Sequence, residues 1–464
     1  MIRKTKIVAT LGPASDSEAM ITKLAKAGVN VFRINFSHST NEKIVDYINK
    51  IHRVREALAL PISIMVDTRG PEVRVKSFEK GSVMLKKGEN FSLVSYDVIG
   101  DDTKVSITQK ICVDNAKVGG VVLANDGRLK LIIKEKKENE LVCKVCTTGE
   151  LKNNKSLSFA GQHFEFEYLN DRDRENLKVA LELGIEYISA SFVNTKSDLD
   201  TLKEFAYKYD KNVGIISKIE NMTGLQNLDE ILQNCEGVMV ARGDLGVETK
   251  FEKLPIYQRK IINSAHKHSK ICIVATEMLE SMISSIRPTR AEISDVAKAV
   301  FDGAGAVMLS GESAVGCDPV NCVSTMSKIV MEAEKEFNYI GHFEGLIKNP
   351  QTSNDLVIQS AINAGFYLNC KAIVSYTSKG SNALKLSSNF SKVPIVAVAD
   401  STKTFNALAM MCNVIPVLDE KQDDIFAQAS KICLQNKIAS KGNMIIVTTG
   451  TTDSISNVLK FQEV

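Results

Sequence analysis

The chain has 464 residues, which is too long for one ordinary domain and predicts two or three. Hydrophobic residues make up 44% and charged residues 24%, as in ordinary globular proteins, and a formal net charge of +3 gives no argument for binding nucleic acid or a membrane. No apolar run is long enough to span a bilayer, no signal-type segment opens the chain, and the ten cysteines are scattered, so we expect a cytoplasmic protein with reduced thiols.

Aliphatic runs in chain order predict the main architecture. The segments between most of these runs have helical periodicity, for example Ser17–Ala27 and Asn41–Leu58. Eight buried strands alternating with helices predict an α/β fold of the TIM (β/α)8 barrel type. The eight predicted strands are Lys6–Leu11, Val29–Phe36, Ile62–Asp67, Tyr187–Phe192, Val213–Glu220, Gly237–Asp244, Ile271–Glu277 and Ala306–Glu312.

A long interval between the third and fourth runs interrupts this series. It contains short strand-like segments separated by turn signals, which predict an inserted β domain after strand 3, placed to act as a lid. After the barrel, Gly341–Asn354 is interpreted as a loop-like linker, and alternating helices and strands then predict an open α/β domain. The predicted division is barrel over 1–69 and 169–340, lid over 70–168, and C-terminal domain over 341–464.

Charged residues end two neighbouring runs of the second half of the barrel, where such barrels carry their chemistry. Glu220 and Asp244 are either a pair of carboxylates for a hard divalent cation such as Mg²⁺ or two solvated loop acids. Lys218 points to the same side of its strand as Glu220. Because an unpaired buried cation is costly, Lys218 has either a functional role or an ion pair with Glu220.

The next strand ends add backbone and hydroxyl groups. The turn that contains Gly243 and Gly246 offers N–H groups to a carboxylate or phosphate. Thr276 offers a hydroxyl to a substrate or a relay water, or else it caps a helix that begins near Met278.

A second polar cluster follows the second and third runs. Three of its residues alternate with apolar ones and therefore share one face of the second strand. Arginines, an amide and hydroxyls suit phosphate contact and oxygen ligation of a cation. His38 is interpreted either as a surface histidine or as a ligand contact. The members of the cluster are Arg33, Asn35, Ser37, Asp67, Thr68 and Arg74.

Taken together, these groups predict phosphoryl transfer, because such enzymes mainly position reactants and neutralise charge with metal ions, arginine and lysine. No histidine has the setting of a Ser-His-Asp hydrolase, and the chain lacks a GxxxxGK[ST] loop.

The strand-end segments resemble those of pyruvate kinases, in the order of that family and over the whole barrel. The resemblance implies transfer of the phosphoryl group of phosphoenolpyruvate to ADP, with Mg²⁺ (or Mn²⁺) and usually K⁺, by a homotetramer. The matching segments are Thr5–Ser15, Arg33–His38, Asp67–Arg74, Ser217–Asn221, Met239–Gly246, Ala275–Met282, Arg287–Glu292 and Met308–Glu312.

The resemblance also implies a role for individual residues. Glu220 and Asp244 would hold Mg²⁺, Lys218 would neutralise the moving phosphoryl group and the enolate, and Thr276 would belong to the route that protonates the enolate. The expected catalytic residues are Lys218, Thr276 and Arg33. The expected substrate-binding residues are Arg33, Lys218, Gly243, Asp244 and Thr276.

Two further sets follow from the resemblance. The expected K⁺ ligands are Asn35, Ser37, Asp67 and Thr68. The expected nucleotide-binding residues are Arg74, His38, Asn35, Lys155 and Asp126, of which the last two would act from the lid. Glu72 stands where K⁺-independent members have lysine, so we expect K⁺ activation.

The chain departs from the family pattern at Arg69, Asn194 and Glu277, and over Lys155–Gly161. In the C-terminal domain a loop with hydroxyls and a glycine is interpreted either as a site for a phosphorylated allosteric effector or as a plain strand-to-helix turn. That loop is Thr377, Ser378, Lys379, Gly380 and Ser381. The alternatives to an active pyruvate kinase are another Mg²⁺-dependent barrel acting on pyruvate or its enolate, such as a class II aldolase, and a pseudoenzyme that binds effectors.

Overall fold

The first part of the barrel supplies three strands and two helices. The computed structural model describes residues 2–125, 127–162, 164–346, 352–420, 422–449 and 458–464. Ser17 and Thr40 cap the two helices by accepting N–H groups of the first turn. The elements are β1 (Lys6–Thr10), α1 (Glu18–Ala27), β2 (Val31–Asn35), α2 (Asn41–Leu58) and β3 (Ser63–Asp67), with a 3₁₀ turn over Phe36–His38.

The lid follows β3 and contains two sheets. Six strands pair in the order β11, β7, β8, β9, β5, β6, and β10 pairs with β4. Alternating buried residues such as Leu129, Leu131 and Ile133 give the lid a hydrophobic core of its own. The lid elements are β4 (Ser82–Leu85), β5 (Asn90–Val94), β6 (Lys104–Ser106), α3 (Lys110–Asn115), β7 (Val121–Ala124), β8 (Leu129–Lys137), β9 (Glu140–Val145), β10 (Gly149–Lys152) and β11 (Leu157–Ala160).

The second part of the barrel completes the strand count. Its strands are β12 (Tyr187–Ala190), β13 (Gly214–Ile219), β14 (Gly237–Ala241), β15 (Ile271–Ala275) and β16 (Ala306–Leu309). Its helices are α4 (Asp171–Glu182), α5 (Lys196–Ala206), α6 (Met222–Gln226), α7 (Leu228–Gln233), α8 (Arg242–Glu248), α9 (Leu254–Lys267), α10 (Arg290–Phe301), α11 (Gly311–Ala314) and α12 (Pro319–Lys335).

Eight parallel strands close the barrel in the order β1, β16, β15, β14, β13, β12, β3, β2. The predicted barrel with an inserted β domain after strand 3 is confirmed. Several strands end earlier than predicted, because the chain turns over the rim after the last ladder pair. Asp244 therefore lies in α8, and Thr276 lies in a turn just after β15.

The C-terminal domain is the predicted open α/β unit. Its strands pair in the order β19, β18, β17, β20, β21, and the last strand is an antiparallel edge that the sequence analysis missed. The elements are α13 (Tyr339–Leu346), α14 (Ser353–Tyr367), β17 (Ile373–Thr377), α15 (Ser381–Ser388), β18 (Ile395–Ala399), α16 (Thr402–Ala407), β19 (Val414–Leu418), α17 (Ile425–Gln435), β20 (Met444–Thr449) and β21 (Val458–Glu463).

The linker prediction over Gly341–Asn354 was wrong at both ends, because α13 runs to Leu346 and α14 begins at Ser353. The middle of the predicted linker, 347–351, lies outside the described residues. The side chain of Asn338 accepts the N–H of Gly341 at 3.0 Å and so caps the start of α13. Across the described parts of the chain, no helix has the length and apolar character needed to cross a membrane.

Candidate active site

Lys218 joins the ends of neighbouring barrel strands through its ammonium group. Its Nζ lies 2.9 Å from Oε1 of Glu220, 3.3 Å from Oδ1 of Asp67 and 2.7 Å from Oγ of Ser191. Asp67 also accepts a hydrogen bond of 2.6 Å from Nε of Arg33 on the next strand. The ion pair with Glu220 that the sequence left open is present, as one contact of a larger network.

The network fixes the charges of its central members. Burial alone would raise the pKa of Asp67, but the positive charges of Arg33 and Lys218 outweigh burial and hold that pKa below its usual value. Burial would lower the pKa of Lys218, and the carboxylates of Asp67 and Glu220 raise it well above its usual value instead. Lys218 is therefore a permanent cation at neutral pH.

Glu220 and Asp244 form the predicted pair of carboxyl groups. Burial raises the pKa of Glu220 to about 7, and the charge of Asp244 adds to this effect. Burial also raises the pKa of Asp244. Both side chains line the same recess between barrel and lid. Glu220 is 1% exposed. Protein atoms surround most of Asp244, but part of its side chain reaches solvent in the recess between barrel and lid.

The backbone N–H of Phe192 donates to Oε2 of Glu220 at 2.5 Å and fixes its direction. Within the described residues, no group of three or more His, Cys, Asp or Glu side chains forms a metal-ligand cluster. Two carboxylates are nevertheless enough for Mg²⁺, because substrate oxygens and waters complete its coordination.

Thr276 is held in a strained backbone conformation directly after β15. Its φ is +68°, and that of Glu277 is +53°. The left-handed region is a genuine outlier for a β-branched residue and costs on the order of 1–3 kcal/mol. Its Oγ1 accepts the N–H of Gly243 at 2.9 Å and lies 2.6 Å from the carbonyl oxygen of Ala275. A 3₁₀ turn rather than an α-helix follows, so the N-cap alternative for Thr276 was wrong.

Arg242 supports this turn instead of facing a ligand. Its guanidinium pairs with Asp295 at 2.6 Å and donates to the carbonyl oxygens of Ala275 at 3.1 Å and Thr276 at 2.5 Å. Sequence reasoning missed Asp295, since a carboxylate in the middle of a helix carries no signal of its partner.

The second polar cluster lies at the adjoining ends of β2 and β3. Asn35 is the register partner of Asp67, and its Oδ1 accepts the N–H of Ser37 at 2.9 Å. Oγ1 of Thr68 accepts the N–H of Ser191 at 3.1 Å. The structure thus brings the predicted cation-binding oxygens onto neighbouring strand ends.

His38 lies in the 3₁₀ turn that follows β2. Burial lowers its pKa, and the positive charges of Arg33, Arg74 and Arg69 lower it further, so the imidazole is neutral at neutral pH. Arg74 pairs with Glu72 at 2.6 Å and donates to the carbonyl oxygen of Asn154 at 2.7 Å. Three arginines lie around this histidine, and two of them, Arg33 and Arg74, are paired with Asp67 and Glu72.

Ser191 and Phe192 were not predicted as site residues. They form a tight turn directly after β12, and Phe192 has a φ of +53°. Through the hydroxyl of one and the N–H of the other, the turn contacts both Lys218 and Glu220. The only sequence signal was the alternation of Ser189 and Ser191 with apolar residues at the end of a buried run.

Comparison with known proteins decides the family. The chain matches the family model "Pyruvate kinase, barrel domain" over residues 2–323 and "Pyruvate kinase, alpha/beta domain" over residues 355–460. The pyruvate kinase of Clostridium perfringens is 35% identical over 474 residues, covering 100% of both chains. That of Staphylococcus haemolyticus is 38% identical over 456 residues, covering 97% of this chain and 78% of the relative. The chain belongs to the pyruvate kinase family.

A solved structure agrees with this assignment. The crystal structure of a pyruvate kinase from Cryptosporidium parvum matches with a TM-score of 0.95 at 29% identity, covering 99% of this chain and 96% of that chain. The resemblance inferred from the strand ends is confirmed, and the chain is a phosphotransferase of the pyruvate kinase family.

The lid of this pyruvate kinase family member contacts the barrel at α8. The hydroxyl of Ser158 donates to Glu248, and burial raises the pKa of that carboxyl group. At the hinge, Ser156 donates to Glu72. Lys155 is solvent-exposed, and Asp126 lies outside the described residues.

The departures from the family pattern have definite surroundings. Arg69 donates to the carbonyl oxygens of Phe36 at 3.1 Å and Ser37 at 3.3 Å, and so it braces the 3₁₀ turn. The N–H of Asn194 donates to Asp198 at 2.8 Å, as part of the start of α5, and Glu277 is exposed.

The loop after β17 is a tight strand-to-helix turn. Gly380 has a φ of +85°, and its N–H donates to Oγ1 of Thr377 at 2.8 Å. Ser378 accepts a hydrogen bond from Thr404 through its carbonyl oxygen, Lys379 is exposed, and α15 begins at Ser381. This geometry agrees with both interpretations of the loop.

Proposed function

We propose that this chain catalyses transfer of the phosphoryl group of phosphoenolpyruvate to ADP, giving ATP and pyruvate, in the cytoplasm and with Mg²⁺ (or Mn²⁺) and K⁺. The observation that carries the proposal is the permanent cation of Lys218, which lies between Asp67 and Glu220 at the barrel mouth. Phosphoryl transfer depends on fixed positive charge near the moving group and on the exclusion of water.

Glu220 and Asp244 would hold Mg²⁺. The donor set fits a hard cation, because both groups supply only oxygen, and a bound cation would offset the burial that raises the pKa of both carboxyl groups. A bound divalent cation would neutralise charge on the substrate oxygens. Lys218 would contact the phosphoryl group and the developing enolate, with Arg33 as a second cation towards phosphate.

Thr276 would belong to the proton route to the enolate. Its hydroxyl lies within hydrogen-bond distance of the Ala275 carbonyl oxygen and accepts from Gly243, so it must rotate or exchange its proton with a water to serve a substrate. The backbone around Arg242–Asp244 would receive the substrate carboxylate, and to take part the N–H of Gly243 would have to exchange Oγ1 of Thr276 for the substrate. Asp244 would act on the substrate through the cation that it holds.

Asn35, Ser37, Asp67 and Thr68 would hold K⁺. Their amide, hydroxyl and carboxylate oxygens suit a hard monovalent cation, and they lie on adjoining strand ends. The nucleotide would bind on the side of Arg74, His38 and Lys155, where the arginines supply the charge that phosphates require.

A coupled assay tests the proposal. ATP formation from phosphoenolpyruvate and ADP is measured with Mg²⁺ and K⁺, then after chelation of Mg²⁺, and then with K⁺ replaced by tetramethylammonium in a Na⁺-free buffer. We expect turnover in the first case only. Failure of the complete mixture to form ATP would sink the proposed activity, and equal rates with and without K⁺ would refute the K⁺ site alone.

A further inference from the structure

Ser191 is buried, with 2% of its surface exposed, and both its hydroxyl and its backbone N–H make polar contacts. Its Oγ lies 2.7 Å from Nζ of Lys218, 2.6 Å from the carbonyl oxygen of Thr68 and 3.1 Å from Oδ1 of Asp67. Its N–H donates to Oγ1 of Thr68 at 3.1 Å. Backbone and side chain are therefore tied to the same neighbour.

These contacts determine how the hydroxyl is oriented. A serine hydroxyl has one proton, and the shortest acceptor is the carbonyl oxygen of Thr68. The lone pairs of Oγ are then left to accept a hydrogen bond from Lys218. Gly70 has a φ of +68° and allows its backbone to lie close to Ser191. A Cβ at this position would lie 3.1 Å from Cβ of Ser191 and 2.9 Å from its carbonyl oxygen.

The distances around Lys218 show what the hydroxyl does to the ammonium group. Nζ is closer to Ser191, at 2.7 Å, than to Asp67, at 3.3 Å, although the carboxylate attracts it more strongly. Together with Glu220, whose Oε1 lies 2.9 Å from Nζ, the neutral hydroxyl holds the ammonium group at this longer distance from Asp67. Without it, the attraction of the carboxylate would draw Nζ towards Asp67.

We infer that Ser191 is a positioning residue that holds the ammonium group of Lys218 short of Asp67, where the phosphoryl group and the enolate can reach it. The inference rests on the proposed function. It predicts an effect on the chemical step rather than on substrate binding, because a misplaced catalytic group lowers kcat by about 10²-fold for a shift on the order of 1 Å.

The chain offers a matched control in the same strand end. Ser189 lies two residues earlier, is fully buried, and its hydroxyl has no hydrogen-bond partner among the described residues. Ser191→Ala and Ser189→Ala remove the same atom from neighbouring buried positions. Ser191→Cys adds a graded test, since a thiol has nearly the same shape but is a weak acceptor.

The experiment measures kcat and KM for phosphoenolpyruvate, with rates corrected for the folded fraction by circular dichroism. NMR also follows exchange of the pyruvate methyl protons with deuterated water, which reports enolate formation without phosphoryl transfer. For Ser191→Ala we expect kcat and the exchange rate to fall by about 10- to 100-fold, with KM changed less than about threefold. Ser191→Cys should be intermediate, and Ser189→Ala should match the wild type.

If Ser191→Ala retains the kcat of Ser189→Ala, or loses only folded fraction, the inference is overturned while the proposed function stands. A wild type that forms no ATP and exchanges no methyl protons would overturn both.

Discussion

At the scale of single residues, charge balance explains why a lysine can remain in the barrel mouth. Lys218 and Arg33 face the carboxylates of Asp67 and Glu220, so each buried charge has an opposite partner. Removing one partner of a buried pair is costly, because the other charge remains desolvated. A change at Lys218 should therefore affect both activity and stability.

We predict that Lys218→Met lowers kcat by about 10³-fold, because it removes the fixed cation near the phosphoryl group. The side chain keeps nearly the same volume, so the barrel should still fold. The matched control is Lys6→Met, which removes another buried lysine of the barrel, one that donates to the carbonyl oxygen of Val414 at 2.8 Å. Lys6→Met should retain kcat in the coupled assay, and equal losses in both variants would contradict a specific role for Lys218.

The positions of single residues were predicted correctly where they follow from the alternation of side chains along a strand. Asn35 and Asp67 were expected near each other, and they are register partners. Ser191 and Asp295 could not be found in this way, because their partners lie on other elements and only the folded barrel brings them together. The strained φ of Thr276 likewise depends on its tertiary contacts.

At the scale of elements, the lid is joined to the barrel through α8. Glu248 at the end of this helix accepts a hydrogen bond from Ser158, and Asp244 lies one turn earlier in the same helix. Lid position and the orientation of Asp244 are therefore linked through one turn of α8. The contact falls in the Lys155–Gly161 segment, which departs from the family pattern.

We predict that Ser158→Ala loosens the lid. Loss of a hydrogen bond to a carboxylate costs about 1.5–3 kcal/mol, so amide exchange at Gly161 should accelerate by about tenfold or more, and KM for ADP should rise. Ser82→Ala is the control, because Ser82 donates to Glu150 at 2.7 Å within the lid. Unchanged exchange at Gly161 in the Ser158 variant would show that apolar contacts alone hold the lid.

Element boundaries were predictable to the extent that burial is periodic. The helix Asn41–Leu58 was predicted to the residue, because a cap and an amphipathic pattern agree. The start of α13 and the edge strand Val458–Glu463 were missed, since the first contains a glycine and the second alternates weakly on an exposed edge. Both depend on contacts outside their own segment.

At the scale of the whole molecule, the C-terminal domain closes the end of the barrel opposite the active site. Met410 is fully buried among the barrel residues Val8, Met65 and Ile216. Hydrogen bonds cross the same boundary, for example from Tyr187 to the carbonyl oxygen of Ala407 at 2.9 Å. The barrel core is thus completed by a residue of another domain.

We predict that Met410→Ala lowers the free energy of unfolding of the barrel by about 2–5 kcal/mol, because it leaves a cavity at the barrel end. Met411→Ala is the comparison, since Met411 packs in the core of the C-terminal domain and should shift the same transition if the two domains unfold together. Chemical denaturation followed by circular dichroism should show one transition that shifts for Met410→Ala, with KM for phosphoenolpyruvate unchanged. Two separate transitions, with the barrel unaffected, would contradict shared cooperativity.

The buried thiols predict how the stability of the whole molecule depends on alkaline pH. Burial raises the pKa of Cys272, in the barrel, to about 12, whereas the unfolded chain ionises near the ordinary value of about 8.5. The unfolded state therefore loses this proton first, so the stabilisation is complete below about pH 8.5 and is lost progressively as the pH rises towards 12. One such thiol contributes a slope of about 1.4 kcal/mol per pH unit over this window.

Cys272→Ala tests this contribution, since the cavity it leaves lowers stability equally at every pH, whereas loss of the thiol flattens the alkaline slope. Cys317→Ala is the control, because Cys317 is exposed. Urea denaturation at pH 8, 9 and 10 should give a smaller decrease in unfolding free energy for Cys272→Ala than for the wild type, and the same decrease for Cys317→Ala. If the unfolding free energy falls equally with pH in all three proteins, the thiol of Cys272 becomes exposed to solvent before the barrel unfolds. Its ionisation would then report local opening around β15.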